Sequence, residues 1–137
     1  MINEMQSLEF DIQNGYSGFR NYAYQKQLYE NYKAKDGQAA ADTYSARPGH
    51  SEHQTGLTFD LKHKNGALVE GAAEAAWIKD NAHKFGFIVR YPKGKEAITG
   101  YMHEPWHLRY IGPRASDIYS SNLSLEEYLN VEGGNYR

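Results

Sequence analysis

The chain contains no cysteine in its 137 residues, and that absence constrains it more than any other feature. Nothing covalent can staple the fold, so its stability has to come from one hydrophobic core, which a chain of this length is large enough to bury. A single domain over residues 1–137 is the expectation. The same absence excludes Cys-ligated zinc, iron–sulfur clusters and thiol nucleophiles, so any bound metal must be held by His, Asp or Glu. Fifteen Lys plus Arg against seventeen Asp plus Glu give a formal charge of -2. That balance offers no basic excess for nucleic acid or anionic lipid. No run approaches the roughly 20 apolar residues of a membrane-spanning helix, and the N-terminus lacks the basic-then-apolar pattern of a secretory signal. Twelve tyrosines and thirteen glycines point to a loop-rich fold with an aromatic, hydrogen-bonding surface or groove.

Periodicity predicts interspersed helices and strands. Asn21 to Lys35 carries Tyr24, Leu28 and Tyr32 at spacings of four with Gly37 beyond, an amphipathic helix closed by glycine. The polar, breaker-rich run from Thr43 to Gly56 reads as a loop. It leads into Leu57 to Lys62, where Leu57, Phe59 and Leu61 alternate with Thr58, Asp60 and Lys62 as in a strand with one buried face. Asp60 is then expected to point away from the core. Ala72 to Phe85 places Ile78, Ala82 and Phe85 on one helical face before Gly86. Phe87 to Tyr91 and Trp106 to Ile111 read as further strands. Pro113 to Ser121 starts a helix with proline in its first turn, and Ser124 with Glu127 forms a capping-box signature ahead of Tyr128 and Leu129. Gly133 to Arg137 reads as a frayed tail. Without βαβ alternation, internal repeat or long linker, the pattern predicts one α+β domain.

Chemistry concentrates in the histidines. His50 pairs with His53 and His103 with His107, while His63 and His83 stand alone in charged surroundings. A hydrolytic zinc site uses three protein ligands, leaves a fourth position for water and needs a carboxylate to take the proton. One candidate set is His53, Asp60 and His107, with Glu104 as the unligated base. A competing set is His103-Glu104-Pro105-Trp106-His107, which matches the His-Glu-x-x-His string of helical zinc proteases. That string works only on a continuous helix, and Pro105 followed by alternating Trp106, Leu108 and Tyr110 favours a strand. Pro105 instead marks a bend that lets Glu104 and His107 face one site.

Two segments in combination carry a family resemblance. Ser51-Glu52-His53-Gln54-Thr55-Gly56-Leu57-Thr58-Phe59-Asp60, with Glu104-Pro105-Trp106-His107 about fifty residues on, resembles the paired zinc motifs of the LAS metallopeptidases. The likeness is to the VanY-type carboxypeptidases, and above all to the LdcB-type L,D-carboxypeptidases of Gram-positive cell walls. Thr58 stands where the family usually has alanine, a departure expected to affect packing more than chemistry. Ser17-Gly18-Phe19-Arg20 resembles a further family segment, so the likeness covers nearly the whole chain.

The resemblance implies a LAS fold of the hedgehog and D-Ala-D-Ala peptidase kind, an antiparallel sheet flanked by helices. It implies His53, Asp60 and His107 as ligands of Zn²⁺ and Glu104 as general base. Arg20 is implied as a second catalytic residue that binds and polarises the substrate near the scissile carbonyl or its terminal carboxylate, Ser51 and Gln25 would add hydrogen bonds to that carboxylate, and Tyr91 is a candidate substrate contact. Trp106 reads as packing beside the metal, and His50 and His103 as surface histidines. The implied activity is a zinc-dependent carboxypeptidase that removes C-terminal D-alanine from peptidoglycan stem peptides, with an L,D preference for the tetrapeptide. The alternatives are D,D-cleavage of the pentapeptide, a peptidoglycan endopeptidase and a non-catalytic wall-binding module. A monomer acting outside the cytoplasmic membrane is expected, with an export signal or lipid anchor that this chain lacks.

Overall fold

The computed structural model describes residues 1–134 and 136. In chain order the elements are α1 (Ile2–Ser7), β1 (Ile12–Ser17), α2 (Tyr22–Asp36), α3 (Gln38–Ala41) and β2 (Thr58–His63). Then follow α4 (Ala72–Asn81), β3 (Phe87–Tyr91), α5 (Glu96–Thr99), β4 (Glu104–Tyr110), α6 (Ala115–Ser121) and α7 (Leu125–Leu129). Short 3-10 turns occupy Glu52–Thr55, Ala82–Phe85 and Gly112–Arg114. The four strands form one antiparallel sheet in the order β1-β2-β4-β3. This is the α+β architecture expected from the sequence.

One face of the sheet carries the core. Ile12, Leu61 and Leu108 from three strands meet Met5 of α1, Val69, Ile78 of α4 and Ala82 of the 3-10 turn that follows it. Six of these seven residues are wholly inaccessible and Ala82 is 1% exposed. Each large side chain buried this way stabilises the fold by roughly 1.5–3 kcal/mol. Because strand side chains alternate, burying Leu61 and Leu108 turns their neighbours Asp60 and His107 to the opposite face. That second face lies across a groove from α2.

The local signals explain most boundaries. Asn21 caps α2 by accepting from the Tyr24 amide at 2.8 Å, and Gly37 ends it at φ 82. The Tyr24, Leu28 and Tyr32 stripe lines the groove instead of entering the core, while Gln25 and Tyr29 are the buried residues of α2. The stretch expected as one helix from Ala72 to Phe85 is α-helical to Asn81 and tightens to 3-10 before Gly86. Likewise Gly112–Arg114 forms a 3-10 turn before α6 begins at Ala115. Ser124 and Glu127 make the reciprocal capping box that their spacing predicts.

Several expectations need correction. Leu57 does not share the buried face with Leu61; it precedes β2 and is 43% exposed. The strand expected from Trp106 begins at Glu104 and takes in Pro105. Pairing allows this because the β3–β4 register shifts between Val89 and Tyr91, placing Pro105 in an irregular stretch where its missing N–H is tolerated. The loop from Thr43 to Gly56 contains one 3-10 turn, and α1, β1, α3 and α5 carried no periodic signal. The tail is anchored, not frayed, at Tyr136, whose hydroxyl accepts from the Arg47 amide and lies 2.8 Å from the Tyr101 hydroxyl. Residues 135 and 137 of the expected tail lie outside the described residues.

Gly86 holds a junction that only glycine fits. Its φ is +82, its carbonyl accepts from the amides of Ile111 and Gly112, and an added Cβ would lie 2.8 Å from the Tyr110 ring. Gly37 has the same φ but open space around it. Gly86→Ala is therefore expected to cost about 1–3 kcal/mol through strain plus contact, and Gly37→Ala nearer 1 kcal/mol. Urea denaturation of both variants checks this; equal losses would contradict the packing argument.

Candidate metal centre

Cross-strand register builds the site. Asp60 of β2 pairs directly with His107 of β4, both on the face turned away from the core. His53 arrives from the 3-10 turn before β2, which Gly56 ends in the left-handed conformation at φ 73. Glu104 pairs with Tyr91 at the irregular end of β4. A regular strand would point Glu104 and His107 to opposite faces; the shifted register brings Glu104 Oε2 within 3.5 Å of His107 Nδ1. His53, Asp60, Glu104 and His107 are all between 3% and 6% exposed.

The three expected ligands converge. Asp60 Oδ1 lies 3.2 Å from His53 Nε2 and 3.2 Å from His107 Nδ1. One atom from each of the three residues falls within 4.8 Å of the other two. Asp60 Oδ1 is buried with no hydrogen-bond partner among the described residues, an arrangement that costs about 1–3 kcal/mol if nothing completes it. A tetrahedral zinc ion with bonds of about 2.0–2.1 Å holds its ligand atoms about 3.3 Å apart. The spacing, the donor types and the orphaned oxygen all fit that ion.

Each candidate ligand is also oriented from behind. His53 Nδ1 faces the Gly18 carbonyl at 2.8 Å, which assigns the proton to Nδ1 and leaves Nε2 bare. Arg20 donates to the other oxygen of Asp60 at 2.5 Å and to Ser17 Oγ at 3.0 Å. His107 Nε2 faces Glu52 Oε2 at 3.4 Å. Glu52 had no signal of its own in the sequence. It sits between Ser51 and His53, and only the fold shows that it reaches His107, the candidate ligand on the opposite side.

Burial and charge oppose each other here. Burial raises the Glu104 carboxyl to about 7, with the Asp60 charge adding to it and His107 and Arg20 opposing. That places it near the value a base working at neutral pH needs. Burial also acts to raise Asp60, but His107 and His53 outweigh it and hold Asp60 well below the usual carboxylate range. Burial likewise disfavours charge on Glu52, yet His107 and Arg90 lower it to about 2.

The remaining expected residues line one groove of about 450 Å³, a volume usual for a small-ligand site. Arg20, Gln25, Ser51 and Tyr91 all border it. Gln25 is 1% exposed, donates to the Ala46 carbonyl at 2.7 Å and accepts from Arg20 at 3.4 Å, so its amide steadies the guanidinium. Tyr91 stacks on Tyr101 at 4.5 Å and lies 4.8 Å from the His107 ring. Trp106 packs against the core cluster beside the site. His50 is exposed beside Tyr136, and His103 hydrogen-bonds the Tyr91 carbonyl at 2.9 Å. Neither reaches the ligand cluster, and β4 is a strand, so the helical His-Glu-x-x-His alternative is ruled out.

Comparison with known proteins gives a consistent picture. Residues 1–113 match the family model VanY, described as D-alanyl-D-alanine carboxypeptidase. The D-alanyl-D-alanine carboxypeptidase of Enterococcus faecalis is 43% identical over 126 residues, covering 85% of this chain and 47% of that protein. The chain spans about half the length of the curated relatives it matches. An L,D-carboxypeptidase DacB from Streptococcus pneumoniae superposes with a TM-score of 0.94 at 56% identity, covering 99% of this chain and 74% of that one. A variant of the vancomycin-resistance D,D-pentapeptidase VanY in complex with Zn(II) superposes at 0.79 with 38% identity, covering 94% and 77%.

His53→Ala and His107→Ala are each expected to lose stoichiometric zinc while the fold persists, since neither side chain belongs to the core cluster. Elemental analysis of the purified variants checks this. A full equivalent of zinc in either would remove that residue from the ligand set.

Proposed function

We propose, from the premise that this chain belongs to the VanY family of D-alanyl-D-alanine carboxypeptidases, that it is a zinc-dependent carboxypeptidase trimming peptidoglycan stem peptides. The observation that carries this reading is the buried, partnerless Asp60 Oδ1 equidistant from two imidazole nitrogens, with a carboxylate of raised pKa beside them. Zinc held by His53, Asp60 and His107 would supply an acidified water and a polarised carbonyl.

The protein's own groups do the rest. Glu104 takes the proton from the attacking water and returns it to the departing amine, a transfer usually worth 10²–10⁴ in rate. Arg20 borders the groove with Ser51 and Gln25 and reads the free carboxylate, which makes the enzyme an exopeptidase. A planar guanidinium fork suits that task better than an ammonium. Tyr91 forms part of the wall the peptide lies against. These roles go with action outside the cytoplasmic membrane, where the substrate lies; among the described residues no helix is long and apolar enough to cross a bilayer.

For the bond cut, we infer the L,D linkage of the tetrapeptide over D-Ala-D-Ala of the pentapeptide. The support is the greater identity, and the greater share of this chain covered, with the pneumococcal L,D-carboxypeptidase than with the D,D-pentapeptidase.

Glu104→Gln is expected to keep its zinc and lose at least a hundredfold in kcat; retained turnover would remove the base assignment. Arg20→Lys should lower kcat/KM about ten- to hundredfold, the worth of a charge-assisted bidentate contact. Incubation with tetrapeptide and pentapeptide, followed by mass spectrometry, tests the linkage: loss of one D-alanine from the tetrapeptide supports the reading. Release from the pentapeptide alone would reassign it to D,D cleavage, and cleavage of an amidated C-terminus would make it an endopeptidase.

A further inference from the structure

The candidate metal centre is joined to α7 by an unbroken chain of mostly enclosed charge. Glu52 presents its two oxygens in different directions. Oε1 accepts from Arg90 Nε at 2.8 Å and lies 3.2 Å from Arg109 Nη1. Oε2 accepts from Thr58 Oγ1 at 3.3 Å and faces His107 Nε2 at 3.4 Å. Two guanidiniums and a hydroxyl therefore fix the carboxylate plane, and the remaining direction of Oε2 is toward the imidazole. Arg90 in turn forks onto Glu126 of α7, Nη1 to Oε2 at 3.0 Å and Nη2 to Oε1 at 2.5 Å. Glu126 is 5% exposed, and its helix is fixed by the Ser124–Glu127 capping box. The Lys95–Glu127 ion pair at 2.8 Å ties the same helix toward α5.

We propose that Glu52 is the positioning residue for His107, and that Arg90 extends its hold to Glu126, so that α7 sets the geometry of the metal centre. A metal-bound imidazole keeps its orientation through the hydrogen bond of its other nitrogen, and a carboxylate in that place also raises its strength as a ligand. Here Nδ1 belongs to the ligand cluster and Nε2 is the other nitrogen. Arg90 is suited to the link because one planar group serves both carboxylates at once, Nε on one and the two terminal nitrogens on the other; lysine could serve one. Glu126 lies beyond residue 113, where the family match ends, so the brace comes from a segment outside it. The proposal rests on the reading of the centre as a zinc site.

The test measures zinc affinity by competition with a chelating dye, alongside urea denaturation and the visible absorption spectrum of the cobalt-substituted protein. Glu52→Gln should weaken zinc about 10–100-fold and shift the cobalt bands. Glu126→Gln, which touches no ligand, should weaken it about two- to thirtyfold, the range for coupling through an intermediate residue. The double variant should lose no more than Glu52→Gln alone, because both act along one route. Should Glu126→Gln fail to fold, Arg90→Lys, which keeps the charge, takes its place in the same comparison. Unchanged affinity and spectrum in the single variants, with only a lower urea midpoint, would reduce the network to scaffolding and overturn the proposal. Additive losses in the double variant would overturn the shared route. Wild-type protein that binds no zinc would instead overturn the reading of the site, a result distinct from either.

Discussion

The pairing of Asp60 with His107 across β2 and β4 is the constraint on which the rest depends. It comes from core packing, not from the site. Leu61 and Leu108 are driven into the same apolar cluster, and strand alternation then leaves their neighbours facing outward together. A slip of one residue in that register would bury the aspartate and expose the leucine, at a cost of several kcal/mol for each misplaced side chain. The hydrophobic effect therefore holds the two candidate ligands in line.

Around that pair the site stores a large amount of buried charge. Asp60, Glu104 and Glu126 are buried and Glu52 is mostly enclosed, and they are matched by Arg20, Arg90 and Arg109. Buried ion pairs rarely stabilise a fold beyond what apolar residues of the same shape would do, because desolvation offsets the attraction. Their value here is directional. Arg20 takes one oxygen of Asp60 and leaves the other without a partner, and Gly18 takes one nitrogen of His53 and leaves the other bare. Each contact selects which atom faces the centre.

Much of this was legible in the sequence, and the reasons are specific. Strict alternation from Phe59 to Leu61 placed Asp60 off the core face, and Pro105 excluded a helix and marked the irregular strand that brings Glu104 beside His107. Glycines at 37, 56 and 86 fixed element ends because their φ values are open to few other residues. What could not be read was everything set by long-range contact. Nothing in Ile2 to Ser17 had a clear period, since α1 is a single short helix and β1 carries a register shift of its own. The Tyr24, Leu28 and Tyr32 stripe read as one face of an amphipathic helix and lines a groove, because an apolar period reports amphipathicity without saying what covers it. Glu52 and Arg90 were invisible as partners, being separated by 38 positions in the chain.

The most direct test of the central claim is the location of the metal itself. Anomalous diffraction collected at the zinc absorption edge, from crystals grown with one equivalent of zinc, should show a single strong peak bounded by His53, Asp60 and His107. Glu104 should lie beside that peak without contacting it. A peak held by His103 or His50, or none at the three converging side chains, would contradict the account.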